Sequence, residues 1–356
     1  MTTTEPTSPI SFAVSPDLQA FIDAAQAVAR DIDLEKVSQR DSASSLDQGL
    51  QAIAALNVDA LLEGMEAPER PTVMLHLAYT LGAARPEVAW QGLLSALEQA
   101  LLQALGSAQP QDTGASTPGP ASVRIAWPLR TENGLQRWVY WQSASAEAAR
   151  FIYFLQVDEA SQNASVSGPC SLADLQTHFS VEIESPLMGL PSGMAMWLCA
   201  KPEAPALHPA PASDDANARA AVAAVLRQYQ ALLMGLLAGM TQRASLAAYA
   251  YARTRQSAGK PLLHHQAVAL RLADIAMNQQ ALWLYAQACF GGNVAGVALS
   301  SSYVSELAGR VTRDAVQTAG AHGYVEGLPF KRLFEQTRTV LTGLTALSNT
   351  AFETAT

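Results

Sequence analysis

The amino-acid sequence predicts a mainly helical α+β protein in which one β domain separates two helical regions. Alanine and leucine recur at helical spacing before residue 106 and after residue 217, whereas short aromatic and β-branched runs occur throughout residues 123–200. Stretches rich in Pro, Gly, Ser and Gln lie between these regions. We therefore predict an N-terminal helical domain at residues 11–106, a small β-barrel or sandwich domain at residues 123–200, and a C-terminal four-helix bundle at residues 217–353.

The N-terminal region contains four segments with an apolar residue at every third or fourth position. The first begins at Ser15, where the sequence Ser-Pro-Asp is a favourable start for a helix. The others span residues 47–62, 71–81 and 93–105. We predict one helix for each segment.

The middle region predicts four strands, and the last region predicts four long helices. The strands are expected at residues 123–127, 138–141, 151–157 and 194–198. The helices are expected at residues 217–257, 265–290, 302–319 and 329–352. Because four long helices can bury a shared apolar face, this last region predicts a bundle.

The composition argues against several classes of function. The 356-residue chain carries a net charge of −9, so it has no excess of cations to neutralise nucleic-acid phosphates. Its cysteines, Cys170, Cys199 and Cys289, lack the spacing of a metal site, and we expect them to be reduced. The N-terminus has neither a basic start nor an apolar run, and no window approaches the roughly 18 apolar residues of a membrane-spanning helix. We therefore expect a cytoplasmic protein without a metal site.

Two stretches near the C-terminus carry the strongest functional signal. The first is Arg255-Gln-Ser-Ala-Gly-Lys-Pro-Leu-Leu-His-His-Gln266, and the second is Gln317-Thr-Ala-Gly-Ala-His-Gly-Tyr324. Together, in this order and at this separation, they resemble the Arg-x-x-Phe-Gly and Gln-x-x-Gly-Gly-x-Gly-Tyr turns of the flavin-dependent acyl-CoA dehydrogenases. In that family the two turns hold FAD across a subunit interface. The resemblance implies the acyl-CoA dehydrogenase fold, with the same order of domains, and FAD as the cofactor.

The resemblance also implies a cofactor role for individual residues. Arg255 corresponds to the arginine that meets the FAD pyrophosphate, and a guanidinium suits a phosphate through bidentate geometry. The full set implied in this way is Arg255, Ser257, Gln266, Gln317 and Gly320. The alternative is that the bundle and its subunit contacts require these residues. Two positions depart from the family pattern: Ala258 replaces the phenylalanine and Ala321 replaces the second glycine.

The N-terminal and β regions depart further from the family. Residues 63–70 stand in place of the Gly-Gly-rich turn that shapes the acyl pocket. The Thr-Glu-Pro-x-x-Gly-Ser-Asp segment, which touches flavin and substrate, has no counterpart at residues 127–133. Trp138 and Trp141 either abut the isoalloxazine ring or belong to the core or a face of the sheet. The resemblance is therefore strongest at residues 235–335.

The catalytic base that the family needs is missing from both of its usual positions. Dehydrogenation across Cα–Cβ of an acyl thioester requires a carboxylate that takes the α proton. Counting along the last helix puts Leu344 at the position of the usual glutamate, and counting along the first bundle helix puts Tyr229 at the position of the less common one. The nearest carboxylates to Leu344, Glu335 and Glu353, lie about 13 Å away at roughly 1.5 Å per residue.

The histidines do not form a predicted metal site. His264 and His265 are adjacent, and neighbours in sequence do not share a helical face. His322 lies inside the second motif, where it contacts either solvent or a ligand or partner.

Three functions remain compatible with these features. The first is a base-lacking, FAD-supporting subunit of a heteromeric acyl-CoA dehydrogenase, whose partner subunit carries the base. In the family such pairs act on bulky acyl-CoA thioesters, including those from steroid side chains. The second is a cofactor-free structural or regulatory paralogue, and the third is an independent dehydrogenase with a relocated base. Arg255 and Gln317, retained beside missing bases, favour the first, in a heterotetramer or in a homodimer or homotetramer.

Overall fold

The computed structural model describes most of the helical regions and the strands of the middle region. The described residues are 16–33, 42–66, 69–104, 123–130, 136–143, 151–158, 163–171, 179–183, 193–200, 216–290, 299–325 and 327–348.

The described residues of the N-terminal region form five helices: α1 (Pro16–Ile32), α2 (Ser42–Ala54), α3 (Val58–Glu63), α4 (Arg70–Ala84) and α5 (Pro86–Ala104). The prediction of one helix at residues 47–62 is wrong, because Asn57 takes left-handed dihedral angles (φ 51°, ψ 51°) and separates α2 from α3. Asparagine is one of the few residues with a side chain that adopts this conformation readily. Arg85 separates α4 from α5, since the residue before a proline avoids helical dihedral angles.

The middle region forms one six-stranded sheet. Its strands are β1 (Val123–Arg130), β2 (Gln136–Ser143), β3 (Phe151–Asp158), β4 (Asn163–Ser171), β5 (Phe179–Ile183) and β6 (Gly193–Ala200). Their order in the sheet is β4-β3-β1-β2-β6-β5. The first half of β1 pairs in parallel with β3, and the second half pairs antiparallel with β2. The sequence predicted the other four strands but not β4 and β5.

The last region contains four long helices: α6 (Ala216–Thr254), α7 (Gln266–Phe290), α8 (Ser301–Ala319) and α9 (Pro329–Ser348). Helix α6 ends three residues before the predicted residue 257, because strands β7 (Gln256–Ser257) and β8 (Lys260–Pro261) form a small hairpin there. The predicted end of the last helix, residues 349–352, lies outside the described residues. Within the described part of the chain, no helix is long and apolar enough to cross a bilayer.

The described residues fall into two compact units. One unit takes those within residues 1–40, 68–90 and 231–345, and it includes α4, most of α6 and nearly all of α7–α9. The other takes those within residues 41–67, 91–230 and 346–356, including the sheet. The boundaries between the units divide α5, α6 and α9. Both cofactor motifs lie in the first unit, and the boundaries at residues 11–106, 123–200 and 217–353 stay predictions.

The first unit is built on a close crossing of α4 and α6. A Cβ atom added to Gly239 of α6 would lie 2.3 Å from the carbonyl oxygen of Tyr79 in α4, and one added to Gly235 would lie 2.4 Å from that of Leu75. From the other helix, a Cβ atom added to Gly82 of α4 would lie 3.2 Å from the Cα atom of Leu236 in α6. Glycine is required at these positions because the two helix backbones are in direct contact.

An ion pair fastens the end of α1 to α6 in the same unit. Arg243 donates two hydrogen bonds of 3.2 Å to the two carboxylate oxygens of Asp33. Both side chains are mostly buried, which fixes the position of α6 relative to α1. Bidentate pairing of this kind is stronger and more specific in geometry than a single contact.

Candidate cofactor site

The first motif folds as a tight hairpin at the end of α6. The Arg255 N–H donates to the carbonyl oxygen of Tyr251 at 2.9 Å, as in a last helical turn, and the Leu262 N–H donates to the carbonyl oxygen of Arg255 at 2.8 Å. Between them, Ser257 pairs with Lys260 across a two-residue loop. Residues 253–260 are all exposed, so Arg255 and Ser257 present their side chains to solvent.

The loop of this hairpin consists of Ala258 and Gly259. Both have positive φ, 47° and 77°, which is the pattern of the type I′ turns that join twisted strands. A left-handed conformation costs a residue with a Cβ atom roughly 1–2 kcal/mol, whereas glycine adopts it freely. The hairpin therefore has a tight two-residue turn with Ala258 at the position where the resemblance implies a phenylalanine.

A histidine ties the hairpin to the start of α7. His265 Nε2 donates a hydrogen bond of 3.0 Å to the carbonyl oxygen of Ser257. Gln266 follows as the first residue of α7, and its side chain is exposed. The first motif is thus one ordered unit in which Arg255, Ser257 and Gln266 are all accessible.

The second motif reverses the chain at the end of α8. Gly320 takes a positive φ of 59°, and its N–H donates to the carbonyl oxygen of Gln317. A single 3₁₀ segment, Gly320–Tyr324, follows. Gly323 packs so closely against α8 that an added Cβ would lie 2.5 Å from the carbonyl oxygen of Val316. Gln317 is exposed and Gly320 partly exposed, and an added Cβ at Gly320 would meet nothing within 4 Å.

The structure brings the two motifs together through Tyr251 and His322. The Tyr251 hydroxyl lies 2.7 Å from His322 Nδ1 and 3.4 Å from the carbonyl oxygen of Ala319. Tyr251 is one helical turn before Arg255, and His322 lies in the 3₁₀ segment of the second motif. Sequence analysis missed Tyr251, although it lies only four residues before Arg255 in the last turn of α6.

The residues at this site have the donors that a dinucleotide phosphate and its flanking groups require. Arg255 supplies a guanidinium, and no carboxylate among the described residues forms an ion pair with it. Two carboxamides, from Gln266 and Gln317, and the Ser257 hydroxyl supply further donors and acceptors. Since these groups are accessible and a guanidinium pairs well with phosphate, they fit the adenosine diphosphate part of FAD.

The two positions of the family's base lie in the core. The Leu344 side chain is fully buried on α9, and the Tyr229 side chain is 2% exposed on α6. Of the alternatives, Glu335 lies on α9 more than two turns before Leu344, and Glu353 lies outside the described residues. Neither of these two side chains is a carboxylate.

A buried carboxylate that sequence analysis did not single out is fully engaged. Glu87 Oε1 accepts a hydrogen bond of 3.0 Å from Arg85 Nε, and its Oε2 accepts one of 3.0 Å from Gln336 Nε2. Burial lowers the pKa of the neighbouring Arg332, and the Glu87 carboxylate opposes that shift. Because both of its oxygens are bonded inside the core, Glu87 is a structural anion and is not available as a base.

An aromatic cluster joins α4 to α7 in the same unit. The Tyr79 ring stacks on Trp283 at 4.2 Å between centroids, and the His76 ring meets Trp283 edge-on at 5.2 Å. Burial lowers the pKa of His76 to about 4 and raises the pKa of Tyr79 to about 12. Both side chains are therefore neutral at pH 7, so neither exchanges a proton there.

The described residues contain no group of three or more His, Cys, Asp or Glu side chains that could hold a metal ion. Cys289 is buried near the end of α7 and forms no disulfide with another described residue.

Comparison with known proteins identifies the C-terminal region. Residues 219–343 match the family Acyl-CoA dehydrogenase, C-terminal domain. The chain is 30% identical over 118 residues to 3-sulfinopropanoyl-CoA desulfinase of Cupriavidus necator, which covers 31% of this chain and 30% of that protein. It is 33% identical over 100 residues to the short-chain specific acyl-CoA dehydrogenase of Megasphaera elsdenii, 26% of each chain. These matches span less than a third of the length of either relative.

A solved structure extends the likeness to almost the whole chain. The glutaryl-coenzyme A dehydrogenase in its glutaryl-CoA complex superposes with a TM-score of 0.64 over 96% of this chain and 95% of that one, at 15% identity. The predicted fold is therefore confirmed: the chain carries an acyl-CoA dehydrogenase C-terminal domain and has the fold of that family. Members of the family bind FAD.

Proposed function

We propose that this acyl-CoA dehydrogenase-like chain is the FAD-supporting, base-lacking subunit of a heteromeric acyl-CoA dehydrogenase. One observation carries the proposal. The motif residues that would contact the cofactor are accessible, and the two motifs are linked by the Tyr251–His322 contact, whereas Leu344 and Tyr229, at the positions that the resemblance assigns to the base, are buried. Exposed Arg255 and Gln317 on an ordered pair of turns leave the groups that FAD would need accessible.

Each candidate residue has a distinct task in this proposal. Arg255 would pair with the FAD pyrophosphate, and Gln266 would bond the adenine end. Ser257 and Gln317 would add hydrogen bonds, and Gly320 would let the backbone approach the cofactor closely, since it has no Cβ atom. The bound flavin would accept the β hydrogen of the acyl-CoA as a hydride.

The partner subunit would supply the carboxylate that takes the α proton. This division follows from the core positions of Leu344 and Tyr229, which offer no proton acceptor. The substrate class is an acyl-CoA thioester, and the bulky thioesters used by paired members of the family are the first candidates. We expect the complex to act in the cytoplasm.

An exposed apolar face on α7 supports the assembly with a partner subunit. Leu270 is 59% exposed and Met277 is 62% exposed, two turns apart on one helix face. Gln266 opens the same face one turn before Leu270, since the spacings are four and seven residues. A base-bearing subunit seated on this face would cover apolar surface and lie against a candidate cofactor residue.

The proposal is tested by the visible spectrum of the chain purified alone and co-expressed with its nearest base-bearing genomic neighbour. We expect flavin absorption only in the co-purified complex. Arg255→Ala should remove most of that absorption, because the pyrophosphate loses its charged partner. The matched control is Arg253→Ala, an exposed arginine two residues earlier on α6 that lies over the Tyr249 ring. The control complex should stay yellow.

Three outcomes contradict the proposal in different ways. A colourless complex would favour a cofactor-free structural or regulatory paralogue. Flavin in the chain purified alone, with dehydrogenase activity, would favour an independent enzyme with a relocated base. Equal loss of flavin in the Arg255→Ala and Arg253→Ala complexes would remove Arg255 from the site.

A further inference from the structure

Tyr251 contacts both candidate cofactor motifs, although it belongs to neither. Its carbonyl oxygen accepts the Arg255 N–H at 2.9 Å and the Thr254 hydroxyl at 3.2 Å, so its backbone is part of the turn that presents Arg255. Its side chain reaches the second motif, where the hydroxyl meets His322 Nδ1 at 2.7 Å. Tyr251 is therefore the residue through which the two motifs are in direct hydrogen-bonded contact.

The bridge between Tyr251 and His322 holds for either neutral tautomer of the imidazole. A tyrosine hydroxyl has one proton to donate and can also accept. If His322 Nδ1 is bare, the hydroxyl donates to it. If Nδ1 carries the proton, it donates to the hydroxyl, and the hydroxyl then donates to the carbonyl oxygen of Ala319 at 3.4 Å. The 2.7 Å contact is a hydrogen bond in both arrangements.

Packing holds both sides of the bridge in place. The Tyr251 ring meets the Phe330 ring edge-on at 6.0 Å and the His322 ring edge-on at 6.1 Å. On the other side, the 3₁₀ segment that carries His322 is seated on α8 through the close contact of Gly323 with Val316. A short hydrogen bond between two such braced elements sets a fixed separation between them.

We propose that the Tyr251–His322 bridge positions Arg255 relative to Gln317 and thereby sets the affinity of the site for FAD. Tyr251 and His322 are positioning residues, and the inference rests on the function proposed above. Arg255 is the first residue after α6, and its N–H donates back to the carbonyl oxygen of Tyr251 at 2.9 Å. Gln317 is five residues before His322. A cofactor that binds both side chains benefits when their separation is fixed before it arrives, because less ordering remains to be done on binding.

The test measures the dissociation constant for FAD in the complex with the base-bearing subunit. Tyr251→Phe removes the hydroxyl and keeps the ring that packs on Phe330. We expect FAD to bind about tenfold more weakly, which corresponds to about 1.4 kcal/mol. The matched control is Tyr249→Phe, which removes a hydroxyl from the same helix and should leave the dissociation constant unchanged.

Two further variants separate positioning from general stability. In a Gln317→Ala background, Tyr251→Phe should have much less than its tenfold effect, because there is no second contact left to position. His322→Asn should restore near-normal affinity relative to His322→Leu, since an amide can replace Nδ1 as the partner of the hydroxyl. Hydrogen exchange of the isolated chain at residues 320–324 should speed up in Tyr251→Phe and His322→Leu.

Each outcome of these experiments has a different consequence for the proposed function and for this inference. A wild-type complex without flavin overturns the proposed function and this inference with it. A wild-type complex with flavin whose affinity is the same in Tyr251→Phe overturns the inference alone. If the Tyr251→Phe effect is equally large in the Gln317→Ala background, the bridge acts by stabilising the fold and not by positioning. If Tyr251→Phe does not fold, His322→Leu takes its place with the same expected results.

Discussion

Replacing Gly239 by alanine should destabilise the first unit by roughly 3 kcal/mol. The added Cβ would lie 2.3 Å from the carbonyl oxygen of Tyr79 and 2.8 Å from the backbone nitrogen of Ala83. Ordinary contact needs about 3.4 Å, so α4 and α6 must separate by about 1 Å. A gap of that size forfeits a quarter to a half of the dispersion energy across the crossing. That loss is about 1–3 kcal/mol for a single well-packed leucine such as Leu236, which makes ~40–60 atomic contacts.

Against this loss, the substitution gains helix propensity. Alanine is favoured over glycine by about 1 kcal/mol inside a helix. Several buried side chains share the α4–α6 crossing, so the packing loss outweighs that gain. They include Leu75, Leu77, Ala78, Leu81, Leu232, Leu233, Leu236 and Met240. The net loss of about 3 kcal/mol lies at the upper end of what overpacking costs, because backbone and not a flexible side chain must move.

A urea titration of the purified chain provides the measurement, and Gly309 provides the control. Gly309 is on α8, where an added Cβ would meet nothing within 4 Å. Gly309→Ala should raise the free energy of unfolding by up to about 1 kcal/mol, and Gly239→Ala should lower it, with similar denaturant slopes. If Gly239→Ala is as stable as wild type, or gains stability as Gly309→Ala does, the helices are not in backbone contact at this point and the crossing is wrong.

Two further predictions concern buried ionisable groups. Glu87→Gln removes the carboxylate that pairs with the buried Arg85 guanidinium and should lower the free energy of unfolding by about 3–5 kcal/mol. Glu306→Gln, at an exposed pair with Arg310, should cost less than about 1 kcal/mol, and equal losses in urea titrations would contradict the buried pair. Burial lowers the pKa of His76 in the folded chain to about 4 from its ordinary 6.5. As the pH falls below 6.5, His76 therefore becomes protonated in the unfolded chain while it stays neutral in the folded chain. Stability should therefore drop by up to about 2 kcal/mol between pH 7 and pH 5 through this residue. His76→Gln should flatten the plot of urea midpoint against pH over that range, and an unchanged slope would refute the assignment.

The helices were predictable where the apolar period is long and the ends are marked. The prediction of residues 265–290 and 302–319 falls within one residue of α7 and α8. The break at Asn57 was harder, since the apolar period continues through it and only the left-handed preference of asparagine hints at it. Strand β5 could have been predicted from the sequence, because Phe179, Val181 and Ile183 alternate with polar residues. Strand β4, Asn-Ala-Ser-Val-Ser-Gly-Pro-Cys-Ser, has almost none, because its place in the sheet comes from pairing with β3.

The candidate site was also only partly predictable from the sequence. The residues Arg255 and Gln317 could be proposed from sequence because each lies in a short motif that resembles a family motif. The contacts that organise the unit join residues far apart in the chain: 71 positions for Tyr251 and His322, and 249 for Glu87 and Gln336. Each of these side chains is unremarkable in its own segment. Only the fold shows that they meet.

The burial of the two base positions also bears on how the chain came to lack a base. Leu344 is fully buried. At its neighbour Gly343, an added Cβ atom would lie 3.7–3.9 Å from the Leu233 and Trp90 side chains. A carboxylate at this position would be removed from water, and burying an unpaired charge costs several kcal/mol of stability. Restoring a glutamate at residue 344 alone would therefore cost stability before it could restore catalysis. Under the function proposed above, this packing of α9 favours a partner subunit as the source of the base.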